Sequence, residues 1–205
     1  MSTEIELKYR LDDALARRLL AQRRLGGYAL TPFQLKQVVD AYYDTPDRRV
    51  ARASYALRFR RKNGAASLQL KSLAPASGVW HRRRELHIPT EHPTEPARWP
   101  HTPEADMLRA IVGEQPLERL FTIHQQRHEA RVLDEQGAPF ALLSLDEVRW
   151  RAGQREDQAW ELEIELLSHG DEASLRALAD ALQSMPGLHP QTESKYERGL
   201  ALLQG

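Results

Sequence analysis

The 205-residue sequence contains no cysteine, which excludes disulfide bonds, thiol catalysis and zinc sites built on cysteine. It also has no net charge at pH 7, because 29 lysines and arginines balance 29 aspartates and glutamates. The chain therefore has no overall field that would attract nucleic acid or an anionic membrane. We expect neither as a partner, so any charge that matters for function must act locally.

Long apolar runs are missing as well. No stretch approaches the roughly 18 apolar residues that a membrane helix needs, and the start of the chain lacks the apolar core of a signal peptide. The phosphate-binding glycine motifs GxxxxGK[ST] and GxGxxG do not occur either. These absences predict a cytoplasmic protein without a P-loop or a dinucleotide-binding fold.

What the sequence does contain is a charged alternation that returns in segment after segment. From Glu4 to Leu11, charged and apolar residues alternate with a period of two, which is typical of a β-strand with two unlike faces. So many charges of both signs on one face indicate one of two folds: an open sheet with a solvated face, or a barrel whose charged face surrounds a ligand. The later segments with this pattern are Arg58-x-Arg60, Gln69-x-Lys71, Arg83-x-Glu85-x-His87, Arg127-x-Glu129-x-Arg131 and Glu161-x-Glu163-x-Glu165.

The segments between the strands predict several short helices. Asp12 and Asp13 predict a helix that runs to about Leu25 and ends at Gly26-Gly27. Asp171 predicts the start of another, and further helices are expected near 104–112, 116–121 and 193–203.

Two connections are also readable. Lys62-Asn63-Gly64 predicts the turn of a hairpin. Five prolines from Pro89 to Pro103 predict an extended and irregular connector. Because the charged alternation continues on both sides of this connector, we expect residues 1–205 to form a single domain with the connector 89–103 inside it.

Basic residues are concentrated in the alternating segments. Arginines two positions apart on a strand, such as Arg58 and Arg60, point the same way about 7 Å apart. That separation suits two phosphoryl groups of a polyphosphate, and each guanidinium can hold a phosphate by two parallel hydrogen bonds. The simpler alternative is a solvated face or a set of cross-strand ion pairs. The basic set is Lys8, Arg58, Arg60, Lys71, Arg83, Arg127, Arg131 and Lys195.

Acidic residues form a second set in the same segments. Carboxylates without histidine or cysteine nearby are hard oxygen ligands, which suit Mg²⁺ or Mn²⁺ rather than zinc. The simpler alternative for the segment 161–165 is an edge strand whose charges discourage aggregation. The acidic set is Glu4, Glu6, Asp146, Glu161, Glu163 and Glu165.

In their order along the chain, these residues resemble the CYTH domain superfamily, the triphosphate tunnel metalloenzymes. Glu4-x-Glu6-x-Lys8 matches the ExExK signature of that superfamily in full, and the likeness extends to about Gly199. Within the superfamily, the chain most resembles the bacterial inorganic triphosphatases. The other blocks that carry it are Tyr42-Tyr43-Asp44-Thr45-Pro46, Leu57-Arg58-Phe59-Arg60, Leu70-Lys71, Arg83-x-Glu85, Arg127, Asp146, Glu163-x-Glu165 and Lys195.

The resemblance implies an α+β fold, an eight-stranded antiparallel closed β-barrel with a charged tunnel and helices packed outside. It implies a hydrolase that uses two Mg²⁺ or Mn²⁺ ions to convert inorganic triphosphate to pyrophosphate and phosphate. A thiamine triphosphatase, a class IV adenylate cyclase and a non-catalytic module that binds polyphosphate or nucleotide are alternatives. In bacterial inorganic triphosphatases this domain often precedes a helical CHAD domain, so the chain either stands alone or belongs to a longer parent.

The resemblance also implies a role for individual residues. Lys8 and Tyr42 would form a catalytic pair that assists proton transfer, and Glu85 and Glu161 would support the site from nearby. The residues that would bind metal are Glu4, Glu6, Asp146, Glu163 and Glu165. Those that would bind phosphate oxygens are Lys8, Arg58, Arg60, Lys71, Arg83, Arg127 and Lys195.

Overall fold

The structure is a computed structural model that describes residues 2–62 and 64–204. The strands are β1 (Ser2–Leu11), β2 (Arg24–Leu25), β3 (Tyr28–Leu30), β4 (Gln34–Asp44), β5 (Tyr55–Lys62), β6 (Ala65–Ser72), β7 (Trp80–Pro89), β8 (Glu118–Leu133), β9 (Pro139–Ala152), β10 (Arg155–Leu166) and β11 (His189–Pro190). The helices are α1 (Asp13–Leu20), α2 (Arg49–Arg52), α3 (Pro103–Val112), α4 (Glu172–Leu182) and α5 (Lys195–Gln204), with a short 3₁₀ helix at Pro96–Arg98.

Within these residues, eight strands close into an antiparallel barrel. Their order is β8-β4-β5-β6-β7-β1-β10-β9, and β9 pairs again with β8, which closes the ring. The short hairpin β2–β3 pairs with β8 beside the ring, and β11 pairs with β1. The closed barrel with a few helices outside it is the fold that the sequence predicted, and it is confirmed.

The register of the strands puts the charged residues on one face of the sheet. In β1 and its neighbours, Glu4 lies opposite Arg83, Glu6 opposite Glu165, and Lys8 opposite Glu163. Residues directly opposite one another in an antiparallel pair project to the same side. The charged face must therefore be the inner one, since the alternate residues of β1, such as Leu7, are buried in the apolar cluster outside the barrel.

Helices cover the apolar outer face on one side of the barrel. Leu15 and Leu19 of α1, with Leu175 and Leu178 of α4, pack in one cluster with the outward residues of β1, β9 and β10. Asp12 begins α1 by accepting a hydrogen bond from the backbone N–H of Leu15, and Asp171 begins α4 in the same way.

The proline-rich connector covers another part of the outer face. Trp99 is only 2% exposed and packs in one cluster with Leu57, Leu70 and Leu108. Its indole N–H donates to the carbonyl of His92 at 2.8 Å, and this bond joins two parts of the connector. The connector is irregular as predicted, and its buried anchor lies against the outside of β5 to β7, away from the lumen.

Helix α5 packs against strands β8, β9 and β10 of the barrel. Tyr196 joins a cluster with Tyr42 and Phe121, and the Trp150 indole donates to the carbonyl of Lys195 at 3.0 Å. Gly199 lies directly against Phe121, where an added Cβ would come within 2.2 Å of Cε2. Glycine is therefore required at this point for the helix to approach the barrel.

Three predictions about local structure need correction or qualification. Helix α1 ends at Leu20, and Gly26-Gly27, both with positive φ, forms the turn of the hairpin β2–β3 instead of a helix end. The helix predicted at 116–121 is wrong, because residues from Glu118 onward belong to β8. The turn predicted at Lys62-Asn63-Gly64 includes Asn63, which lies outside the described residues.

In the parts of the chain that the structure describes, no helix is both long enough and apolar enough to cross a membrane.

Replacing Gly199 by alanine should lower the free energy of unfolding by about 1–3 kcal/mol, because the new methyl group overlaps the Phe121 ring. Thermal or urea unfolding of the variant measures this. In a Phe121→Leu background, Gly199→Ala should lower the free energy of unfolding by less than it does in the parent. If Gly199→Ala alone is as stable as the parent, α5 does not pack against Phe121 as described.

Candidate active site

The barrel encloses a cavity of about 220 Å³. It brings together all of the predicted site residues except Asp146 and Glu161, which are buried just behind its wall. Arg131, also in the basic set, is exposed and does not line it. The predicted residues in the lining are Glu4, Glu6, Lys8, Tyr42, Arg58, Arg60, Lys71, Arg83, Glu85, Arg127, Glu163, Glu165 and Lys195.

One wall of the cavity is centred on Glu163 of β10. Its Oε1 accepts from Lys8 Nζ at 2.8 Å and from Lys195 Nζ at 3.0 Å, and its Oε2 accepts from Arg127 Nη2 at 2.8 Å. Burial acts to raise the pKa of Glu163, but Lys195, Lys8 and Arg127 together lower it well below its usual value. Glu163 is therefore an anion that three cations share.

Asp146 lies behind this wall and is fully buried. Its two oxygens accept from Arg127 Nε and Nη2 at 2.8 and 2.6 Å, and Oδ2 also accepts from Lys195 Nζ at 2.7 Å. Burial acts to raise the pKa of Asp146, but Arg127 and Lys195 lower it. Asp146 thus holds Arg127 and Lys195, the two cations that also donate to Glu163.

Glu161 is the second predicted residue that lies behind the wall. Its Oε2 is 3.5 Å from Lys195 Nζ, and its Oε1 has no hydrogen-bond partner among the described residues. Burial raises the pKa of Glu161, whereas the pKa values of Glu163 and Asp146 are lowered. Glu161 supports Lys195 and does not face the cavity.

A second wall, next to the first along the sheet, carries pairs that join β1 to β6 and to β7. Both oxygens of Glu4 accept from Lys71 Nζ at 2.8 Å, and Glu6 accepts from Arg83 while lying 3.3 Å from Lys8 Nζ. Glu85 of β7 lies 3.8 Å from both Lys71 Nζ and Arg58 Nη2. The buried Nε of Arg83 has no hydrogen-bond partner among the described residues, so this wall has one unused N–H donor.

Glu165 differs from the other carboxylates of the cavity. It has no ion pair or hydrogen bond among the described side chains, and burial together with the charge of Glu4 raises its pKa to about 7. Glu6 and Glu163 act in the same direction. Glu165 is thus the one carboxylate of the described cavity lining that no cation holds.

These carboxylates fit a hard divalent cation by their chemistry. A cation at Glu4, Glu6, Glu163 and Glu165 would relieve the repulsion that raises the pKa of Glu165, and oxygen donors are what Mg²⁺ and Mn²⁺ prefer. In residues 2–62 and 64–204, no three acidic or histidine side chains already converge on one point, so the glutamates must turn to form such a site. Asp146 would first have to exchange Arg127 or Lys195 for the metal.

The predicted catalytic pair is present in the lining but not in mutual contact. Lys8 bonds Glu163, whereas the Tyr42 ring stacks on Phe121 with centroids 4.8 Å apart and lies 5.5 Å from Tyr196. Lys8 is buried, and although burial acts to lower its pKa, Glu163 and Glu6 raise it. Lys8 is thus a cation at neutral pH.

Sequence reasoning missed several polar residues that hold the predicted ones. Asp40 and Gln125 are buried beside Arg58 and Arg60, and Gln69 accepts from Arg58 Nε at 2.9 Å. The signal was available for Asp40, because it lies two positions before Tyr42 on the same face of β4.

A closed antiparallel barrel with paired charges inside and aliphatic residues outside defines a class of proteins with a charged tunnel. Residues 2–200 match the model of the CYTH domain, and the chain belongs to the CYTH family.

Solved structures of the same fold come from distant organisms. A Bacillus halodurans protein, described as a candidate adenylate cyclase, is 23% identical with a TM-score of 0.64, covering 97% of this chain and 98% of its own. HpAC1 from Hippeastrum is 21% identical with a TM-score of 0.62, covering 97% and 95%. PH1819 from Pyrococcus horikoshii is 20% identical with a TM-score of 0.59, covering 97% and 98%.

Replacing Lys195 by methionine should lower the free energy of unfolding by about 3 kcal/mol, because Asp146 and Glu161 then lose a buried cation. Urea unfolding at neutral pH measures the change. Arg151→Met is the matched control, since that exposed pair with Glu156 should contribute less than about 1 kcal/mol. Equal small effects in both variants would contradict the buried network.

Proposed function

We propose that this CYTH domain is a hydrolase that converts inorganic triphosphate to pyrophosphate and phosphate with Mg²⁺ or Mn²⁺. The observation that carries the proposal is the content of the cavity. Among the described residues that line it, seven side chains are cations and five are carboxylates. A small compound with several negative charges, bound together with a divalent cation, balances such a lining.

The size of the cavity favours a bare polyphosphate. Its volume of about 220 Å³ is below the roughly 300–1,000 Å³ of pockets that enclose organic ligands of drug size. HpAC1, which has the same fold, is described as having a dominant triphosphatase activity. That chemistry is the one proposed for this chain.

Binding of the triphosphate is assigned to the cations of both walls. Arg58 and Arg60 on β5 lie on one face at the spacing that suits neighbouring phosphoryl groups. The cations of the first wall would turn from Glu163 and Asp146 to phosphate oxygens, and Lys71 and Arg83 would do the same from Glu4 and Glu6. The full set is Lys8, Arg58, Arg60, Lys71, Arg83, Arg127 and Lys195.

The carboxylates released by this exchange are assigned to the metal. Glu4, Glu6, Glu163 and Glu165 would hold it, and Asp146 would join them once Arg127 or Lys195 bonds a phosphate. A bound Mg²⁺ or Mn²⁺ ion neutralises developing charge and lowers the pKa of the attacking water. Because the cations and the carboxylates are each other's partners, polyphosphate and metal should bind together.

The remaining roles concern proton transfer and orientation. Lys8 stays charged beside Glu163 and Glu6, so it is suited to stabilise the charge that grows on the phosphate in the transition state. The Tyr42 hydroxyl, the second group of the pair, would relay a proton: it would accept one from the attacking water while donating its own to a phosphate oxygen. Glu85 and Glu161 hold neighbouring cations in position.

A second candidate function is supported by the aromatic end of the cavity. Tyr42 and Tyr196 both line it where α5 packs, and they could contact an organic group attached to the triphosphate. This feature suits a class IV adenylate cyclase or a thiamine triphosphatase. A third candidate, from another class, is a non-catalytic module that binds polyphosphate or nucleotide.

The deciding experiment compares inorganic triphosphate, ATP and thiamine triphosphate at several Mg²⁺ and Mn²⁺ concentrations. We expect kcat/KM for inorganic triphosphate to exceed that for the other two by at least about tenfold, equivalent to 1.4 kcal/mol. Faster turnover of ATP or thiamine triphosphate would overturn the proposed substrate. Cyclic AMP with intact pyrophosphate would identify a cyclase, and binding without turnover would identify a binding module.

Replacing Glu165 by glutamine should raise the metal concentration needed for half-maximal activity by roughly 10- to 100-fold, because one of the proposed oxygen ligands loses its charge. Titration with Mn²⁺ at saturating triphosphate measures this. Glu156→Gln on the same strand is the control, since that side chain is 62% exposed and far from the cavity lining. An unchanged metal requirement would exclude Glu165 from the site.

A further inference from the structure

Asp40 is a buried carboxylate that none of the roles above uses. It lies on the inner face of β4, is fully shielded from solvent, and does not line the cavity. Its Oδ1 and Oδ2 accept from Arg60 Nε and Nη2, both at 2.7 Å, in a two-pronged pair. A third bond comes from Gln125 Nε2 to Oδ2 at 2.9 Å.

Asp40 also reaches the second arginine of β5. Its Oδ2 lies 3.6 Å from Arg58 Nη1, while Gln69 holds Arg58 from the other side. Burial acts to raise the pKa of Asp40, but Arg60 and Arg58 lower it far below its usual value, so the group is an anion in the folded protein. One buried charge therefore balances two guanidinium groups that would otherwise repel each other.

Asp40 and the two arginines that it holds occupy different positions relative to the cavity. Arg58 and Arg60 line the cavity, whereas Asp40 touches them from behind. The two-pronged pair uses Nε and Nη2 of Arg60 and leaves Nη1 outside the Asp40 contacts. An anion in the cavity can thus contact Arg60 without displacing Asp40, in contrast to Glu163, which shares the lumen with the substrate.

We infer that Asp40 is a positioning residue that holds Arg60, and through the shared charge Arg58, in the orientation that receives phosphate. This inference rests on the proposed function, since it concerns the same site. Arg60 has no other side-chain partner among the described residues, so its direction depends on Asp40 alone. Gln125 in turn fixes Asp40 by occupying one of its oxygens.

The test replaces Asp40 by asparagine, which keeps the size of the side chain and removes its charge. We expect KM for inorganic triphosphate to rise roughly 10- to 100-fold, because a guanidinium without its anchor is misplaced. We expect a smaller change in kcat. An unchanged or lower KM would overturn the inference, since Asp40 would then be only structural or would compete with the substrate.

A double-mutant comparison tests whether Asp40 acts through Arg60. Asp40→Asn should raise KM much less in an Arg60→Ala background than in the parent, because the group it positions is gone. Fully additive effects would overturn the inference. Asp47→Asn is the matched control: Asp47 also pairs with two arginines, but on the exposed turn before α2, and its loss should leave KM unchanged.

A milder variant covers the case in which Asp40→Asn does not fold. Gln125→Met removes the bond that fixes Asp40 and leaves the charge in place, so KM should rise in the same direction by a smaller factor. An unchanged KM in this folded variant would count against the positioning role. We expect the Arg60 Nε–H, which donates to Asp40, to exchange with water faster in both variants than in the parent, as NMR can measure.

The assay of the parent protein keeps the two proposals separate. If the parent hydrolyses none of the three triphosphates, the proposed function fails. Calorimetric binding of inorganic triphosphate to the same variants then judges Asp40, with the same expected loss of affinity. If the parent is active and the variants behave as the control does, only the inference about Asp40 fails.

Discussion

The structure depends on the burial of opposite charges inside a closed barrel, where cations and carboxylates from different strands come within bonding distance of one another. Glu163 shows this most clearly, since Lys8, Arg127 and Lys195 all donate to it. Removing one partner from such a group leaves a buried charge uncompensated, which destabilises a protein far more than the loss of a surface pair. The same dependence makes the walls responsive to a ligand that offers the cations and the carboxylates new partners.

The strands and the composition of the cavity follow from local patterns, so they could be predicted, whereas the closed barrel was implied by the family resemblance. A period of two places Glu4, Glu6 and Lys8 on one face without any knowledge of the neighbouring strands. Closure of the barrel also excludes the interpretation of segment 161–165 as a charged edge strand. Strand β10 pairs on both sides, with β1 and with β9. The family and the closed barrel are therefore confirmed, while the roles of single residues stay predictions.

The pairing of individual charges could not be predicted, because it depends on the register between strands that are distant in sequence. Lys8 and Glu163 are 155 positions apart, and nothing near either one specifies the other. The same holds for Asp146, which contacts Arg127 and Lys195 but does not itself line the cavity. Asp40 was missed for a different reason. The prediction relied on segments with several alternating charges, and Asp40 is a single acidic residue between apolar ones. Its position two residues before Tyr42 nevertheless indicated that both side chains lie on the same face of β4.

Closure of the ring has a consequence for how such a protein can diversify. Each strand of the barrel is bonded along both sides, so a strand cannot slip relative to its neighbours without breaking two ladders at once. The outline of the lumen is therefore set by the main chain, and an inward substitution alters its electrostatic potential while the outline persists. Related chains can acquire different substrates through substitutions that change the charged side chains facing the lumen while the barrel itself is unchanged.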